Sequence, residues 1–189
     1  MGVVKNEHDF DHPSFWFVLE DRVKNLLGGL YYGRDIRSLA LKGDESVLDF
    51  GCGGGTASRY LMKFLDGRGR LLGVDTSAYW IKIASGRLKK YPNAAFRAGD
   101  IRTMGLPGES IDVIITVHVL HHIELGERDS VLQTLARLLK KGGRFLIRER
   151  IEASHGIPPA EIGALLSRVG LKEITNSTTK SEYRGLFSR

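Results

Sequence analysis

Val47-Leu48-Asp49-Phe50-Gly51-Cys52-Gly53-Gly54-Gly55-Thr56-Ala57-Ser58-Arg59-Tyr60-Leu61 is a strand, a glycine loop and a helix in direct succession. Val47, Leu48 and Phe50 suit a parallel strand buried on both faces, and Ala57, Tyr60, Leu61 and Phe64 repeat at helical spacing after the loop. Between them stand four glycines in five positions. Glycine reaches backbone angles closed to other residues and, lacking a side chain, lets a ligand lie against the peptide. A dinucleotide fingerprint fits poorly: Gly-x-Gly-x-x-Gly or Ala counted from Gly51 puts Thr56 in the last slot, and counted from Gly53 puts Ser58 there. Asp49 sets a carboxylate where a pyrophosphate would be repelled and a cation welcomed. The plainer alternative is a tight strand-to-helix turn with Asp49 as a cap.

The same residues resemble the first motif of the class I S-adenosylmethionine-dependent methyltransferases, Val-Leu-Asp-x-Gly-x-Gly-x-Gly, matched by Val47, Leu48, Asp49, Gly51, Gly53 and Gly55. The resemblance covers residues 45 to 189. It implies S-adenosylmethionine as cofactor, S-adenosylhomocysteine as product, and Asp49, Gly51, Cys52, Gly53 and Gly55 at the cofactor. Cys52 has a second reading as a small packing residue, the commoner role of a lone thiol. The fold implied is α/β, a doubly wound, mostly parallel seven-stranded sheet closed by a C-terminal antiparallel strand.

Further on, Arg70 to Val74 reads as a second strand ending in Asp75, an acid placed to accept hydrogen bonds from two ribose hydroxyls at the sheet's carboxyl edge. Ser77 is a candidate cap for a helix bearing Trp80, Ile81, Ala84 and Leu88. Ala94 to Ala98 is a third strand and Ile111 to Val117 a fourth. The resemblance implies Asp100 against the adenine amine, Ile101 flanking the ring, and Thr76, Val117 and His118 beside the cofactor. His118-Val-Leu-His-His-Ile123 then meets the methionine end and the acceptor. His118, His121 or His122 could serve as a base for an acceptor that must lose a proton, with His122 and His118 the catalytic candidates and bracing of the next helix the alternative for His122. Three histidines without a cysteine or Glu-x-x-His partner do not make a metal site.

Val131, Leu132, Leu135, Leu138 and Leu139 mark a helix stopped by Lys140-Lys141-Gly142-Gly143 before the strand Arg144 to Glu149. Pro158 and Pro159 start a last helix ended by Gly170, and Leu171 to Thr178 and Glu182 to Ser188 form a hairpin. A dinucleotide oxidoreductase would continue into a substrate domain, whereas the methyltransferase fold closes with an antiparallel strand after its last helix.

Composition narrows the class. A net charge of +6 invites nucleic acid, yet residues 1 to 45 hold six Lys or Arg against eight Asp or Glu, so the N-terminal part is acidic. The single cysteine excludes an internal disulfide framework. Glu7, Asp9, Asp11 and Glu20 interrupt any apolar leader, no run is long enough to span a membrane, and a cytoplasmic protein is expected. Residues 1 to 13 are expected to lack structure. Helices then follow from Ser14, broken by Gly28-Gly29 and a turn at Tyr31-Tyr32-Gly33, and from Arg34 to Leu41. Six of the chain's sixteen aromatics, Phe10, Phe15, Trp16, Phe17, Tyr31 and Tyr32, fall before residue 46, more than one core-facing stripe needs. Residues 1 to 45 therefore read as a helical lid, with Trp16, Tyr31 and Tyr32 towards a small, lipophilic or aromatic acceptor, and residues 46 to 189 as the core. The general pattern resembles the quinone-precursor methyltransferases. A nucleic-acid methyltransferase and a non-catalytic cofactor-binding module are the alternatives.

Overall fold

The computed structural model describes residues 13–152 and 156–189. The stretch expected to lack structure lies outside these residues apart from Pro13, as does Phe10. Strands β1 (Ser46–Phe50), β2 (Arg70–Asp75), β3 (Ala94–Ala98), β4 (Ile111–Val117) and β5 (Leu139–Arg150) run parallel to one another. β7 (Glu182–Ser188) is antiparallel both to β5 and to β6 (Lys172–Thr178). The sheet order is β3-β2-β1-β4-β5-β7-β6, so one strand of seven is reversed.

Alternation along the strands supplies two apolar faces, each covered by helices. Leu48, Ile114, Phe145 and Ile147 meet Leu132 and Leu135 of α5 (Arg128–Leu138) and Leu165 and Leu166 of α6 (Pro159–Arg168). On the other face Val47, Leu71, Val113, Ile115 and Leu146 meet Ile36 of α2 (Gly28–Ser38), Leu61 of α3 (Thr56–Leu61), and Leu88 beyond α4 (Ala78–Arg87). Burying each such side chain stabilises by about 1.5–3 kcal/mol before entropy is counted. Ser77 caps α4 through its hydroxyl, which accepts from the Trp80 N–H at 3.3 Å. Gly170, at φ +84°, ends α6: its N–H reaches the Ser167 carbonyl and that of Leu171 reaches Leu166, the paired bonds of a left-handed C-terminal cap.

Two boundaries depart from the sequence reading. Lys140 to Gly143 do not stand between helix and strand; β5 begins at Leu139, and the register jumps between Ile111↔Leu139 and Val113↔Arg144 because the extra residues bulge at Gly142, φ +74°. At the N-terminal end, α1 (Phe15–Leu26) is followed at once by α2, which contains Gly28, Gly29, Tyr31, Tyr32 and Gly33. A Cβ on Gly29 would sit 3.3 Å from the Tyr60 ring, and one on Gly33 would sit 3.2 Å from its hydroxyl. These glycines admit a close helix crossing instead of breaking the chain.

β1 and β4 are neighbours, and from them the chain proceeds to opposite sides of the sheet. Loops leaving such a pair diverge and open a crevice at the carboxyl ends of the strands, where α/β sheets bind ligands. The glycine loop leaves β1 there and His118 leaves β4. No helix among the described residues is long and apolar enough to cross a membrane.

Candidate active site

A single cavity of about 1130 Å³ occupies that crevice. Gly51, Cys52, Gly53, Asp75, Thr76, Asp100, Ile101, Val117, His118, His122 and Tyr32 of the expected residues line it, and His121 joins them. Asp49, Gly55, Trp16 and Tyr31 do not.

The loop is built by its own backbone. Gly51, Gly53 and Gly55 take φ of +71°, +49° and +76°. The N–H groups of Gly51 and Cys52 donate to the Val74 carbonyl at 2.8 and 3.0 Å, and Gly55 N–H donates to Cys52 at 2.9 Å. Asp75, ending β2, accepts from Gly53 N–H at 2.8 Å on one oxygen and from Ser77 N–H at 3.0 Å on the other. A Cβ on Gly53 would meet no atom within 4 Å, which leaves the peptide bare towards the cavity.

Asp49 lies behind the loop, buried, accepting from the Ser58 hydroxyl at 2.5 Å. Burial raises its carboxyl to about 6, with Asp75 adding to the rise. A cation bound nearby would favour its ionised form. The Cys52 thiol is pushed far up by burial, next by Asp49 and Asp75, which suits packing and not nucleophilic attack. Asp100 is engaged by Arg102, whose guanidinium reaches both oxygens at 2.6 to 3.0 Å and also meets Glu127 at 3.0 Å. That fork holds the Asp100 carboxyl below its ordinary range.

The histidines have separate surroundings. His118, at φ +57°, sets Nε2 3.0 Å from Glu182. Burial, and then the Arg148 guanidinium, hold its imidazole down at about 4, outweighing Glu182. The folded form thus refuses a proton that an unfolded chain accepts near 6.5. Stability from this group is complete above about pH 6.5 and falls as pH drops towards 4, by about 3 kcal/mol. In His118→Gln that part of the decline should vanish, so urea midpoints compared near neutrality and near pH 4.5 should converge relative to the native chain by about this amount. A variant with the native slope would remove His118 as its source. Asp49, raised to about 6, runs in the opposite sense from about pH 6 downward, across most of that window, and the native-minus-variant difference cancels it.

His121 Nδ1 lies 2.6 Å from Oε2 of Glu149, which is wholly buried and whose Oε1 accepts from the N–H groups of Val119 at 2.8 Å and Leu120 at 2.6 Å. Glu149 was not among the expected residues. Only its place at the end of a strand entering the ligand edge hinted at it.

α1 and α2 contribute Glu20, Asp21, Lys24 and Tyr32 to the cavity lining and are pinned by ion pairs. Asp21 of α1 meets Arg87 of α4 at 2.7 Å, and Arg87 also donates to the Gly54 carbonyl at 2.6 Å, clasping α1 to the glycine loop. Asp35 of α2 meets Arg148 at 3.2 Å, and Arg148 reaches Glu182 at 2.8 Å and the Tyr31 carbonyl at 2.9 Å. Tyr32 lines the cavity. Tyr31 instead lays its ring over the Arg148 guanidinium, 4.2 Å away. Trp16, near the start of α1, stands outward, 74% exposed, and it is Glu20, Asp21 and Lys24 further along the helix that line the cavity. Trp80, buried and lining the cavity, read from sequence only as part of a core stripe.

Comparison with known proteins agrees with this geometry. An uncharacterized 37.1 kDa protein in a transposon of Streptomyces fradiae is 36% identical over 105 residues, covering 56% of this chain and 30% of that protein. An arsenite methyltransferase of Aquipseudomonas alcaligenes is 31% identical over 142 residues, covering 70% and 40%. The chain thus spans less than two thirds of the length of these relatives. A solved structure of an S-adenosylmethionine-dependent methyltransferase from Aquifex aeolicus shares the fold, with a TM-score of 0.70 at 22% identity over 82% of this chain and 87% of that one. With residues 48–147 matching the family model described as a methyltransferase domain, the chain belongs to that family, whose fold and membership imply S-adenosylmethionine as the cofactor.

Proposed function

We propose that the chain transfers the methyl group of S-adenosylmethionine to a small, lipophilic or aromatic acceptor held beneath α1 and α2. The observation that carries this is the continuity of the cavity: one space of about 1130 Å³ runs from the glycine loop and Asp75 to the histidine turn and Tyr32. Ligand pockets commonly span about 300–1,000 Å³, so there is room for a nucleoside and a second molecule together. When bound, S-adenosylmethionine supplies a methyl group already activated by its sulfonium charge. The bare peptide at Gly53 gives a ligand close approach, Asp75 accepts ribose hydroxyls, and Ile101 offers an apolar wall to the adenine. Residues 13–38 exclude water and orient the acceptor, which supplies much of the rate enhancement in a reaction needing little other assistance. Glu20, Asp21, Asp75, Asp100, Glu124 and Glu127 outnumber Lys24, Arg102 and Arg150 in the lining, a balance that disfavours a polyanionic nucleic acid.

Asp75→Ala is expected to weaken S-adenosylhomocysteine binding by about 1–3 kcal/mol, roughly 5- to 150-fold, measured by calorimetry. An unchanged dissociation constant in a folded variant would take Asp75 out of the site. For the acceptor, small phenols, amines, thiols and a duplex oligonucleotide incubated with protein and cofactor should give S-adenosylhomocysteine, read by mass spectrometry, only with small molecules. Turnover confined to the oligonucleotide would reverse the choice.

A further inference from the structure

We infer that His121 and Glu149 form a general-base dyad, and that the acceptor is a molecule whose attacking atom carries a proton, a phenolic or enolic hydroxyl. The inference rests on the methyl-transfer reading and deepens it. At the turn, His121 has a buried carboxylate on its Nδ1, and its Nε2 has no partner among the described residues. Glu149 is fully buried, and its first oxygen is held by two backbone N–H groups, so its second oxygen has a fixed position against Nδ1. A proton on Nδ1 donated to that oxygen fixes the tautomer with Nε2 as acceptor, and the same carboxylate stabilises the imidazolium formed when Nε2 takes a proton. His118 is unsuited, since Nε2 already faces Glu182 and the ring stacks edge-on to Tyr31. His122 packs against His121, with ring centroids 4.0 Å apart, and limits its rotation.

The step balances without a further reagent. The hydroxyl proton passes to His121 Nε2, the oxygen lone pair forms the new bond to the methyl carbon, and the carbon–sulfur bond breaks with its electrons left on sulfur. A methyl ether, a neutral thioether and an imidazolium paired with Glu149 result. Tertiary amines and thioethers, which attack without losing a proton, gain nothing from the dyad.

The test compares two probe acceptors, catechol and 4-nitrocatechol, at one mildly alkaline pH where the first is largely protonated and the second largely ionised. In His121→Ala, kcat with catechol should fall about 100- to 1,000-fold, in line with loss of a general base. With 4-nitrocatechol it should fall less than about tenfold, and added imidazole should restore part of the catechol rate. Glu149→Gln should lower catechol turnover with less effect on KM; should that variant not fold, His121→Ala with imidazole decides alone. Binding of S-adenosylhomocysteine to His121→Ala within about threefold of native checks the cofactor site. Equal losses with both catechols, undiminished activity, or a native protein that methylates amines or thiols but neither catechol would overturn the dyad while leaving methyl transfer standing. Failure of the native protein to bind S-adenosylhomocysteine or to methylate any probe would overturn both.

Discussion

Replacing Arg148 by alanine should destabilise the fold by about 3–5 kcal/mol, the range found when one partner of a buried ion pair is removed and the other is left uncompensated. Arg148 is 4% exposed and Asp35 is 5% exposed, and the guanidinium also serves Glu182 and the Tyr31 carbonyl. Without it, Asp35 retains Arg184 at 3.2 Å, but burial already raises its carboxyl and a main counterweight is gone. The Tyr31 ring loses its cation, and α2 loses its tie to the end of β5. Urea unfolding should show the loss, and brief proteolysis should cut first between α1 and α2. Arg148→Lys should recover only part, since an ammonium cannot span Glu182, Asp35 and a carbonyl as a planar fork does. A loss below about 1 kcal/mol would mean that the network is solvated in solution and does not hold α2 to β5.

Gly51→Ala is the second large effect expected. The residue sits at φ +71°, and an added Cβ would fall 2.2 Å from Cγ2 and 2.8 Å from Cγ1 of Val119. Val119 cannot simply retreat, because its N–H is bound to the buried Glu149 at 2.8 Å. Left-handed strain of about 1–2 kcal/mol and overpacking of about 1–3 kcal/mol together give about 2–5 kcal/mol. Gly53→Ala is the control: it carries similar strain but meets no protein atom within 4 Å. Its stability should fall by about 1–2 kcal/mol only, whereas its affinity for S-adenosylhomocysteine should drop if the ligand lies on that peptide. Equal stability losses in the two variants would show that strain alone, not the Val119 contact, sets the cost.

The parts of the fold legible in the sequence were those coded by short-range patterns. The bounds of β3 and β4, the Ser77 cap, the glycine loop, the Asp75 strand end and the reversed final strand all rest on residues close together in the chain. What escaped depends on partners far away. Gly28 and Gly29 read as a break because nothing local reveals that Tyr60 will lie against the helix. Asp21 and Arg87 stand 66 residues apart, and His121 and Glu149 stand 28 apart. The first pair exists only once α1 lies over the glycine loop beside α4, and the second only once the sheet has brought β4 and β5 together. Trp16 was assigned inward by composition, whereas near the start of α1 it stands outward. The histidine triplet drew attention to a turn that lines the cavity, but which ring carries a buried carboxylate is a property of β5.

The most direct test of the whole account is a calorimetric titration of the purified chain with S-adenosylhomocysteine and, separately, with NAD. The loop geometry, Asp75 and the buried Asp49 predict one S-adenosylhomocysteine site per chain and no NAD binding, because a pyrophosphate would be driven against carboxylates instead of a helix N-terminus. Binding of NAD more tightly than S-adenosylhomocysteine, or no binding of the adenosyl compound at all, would contradict it.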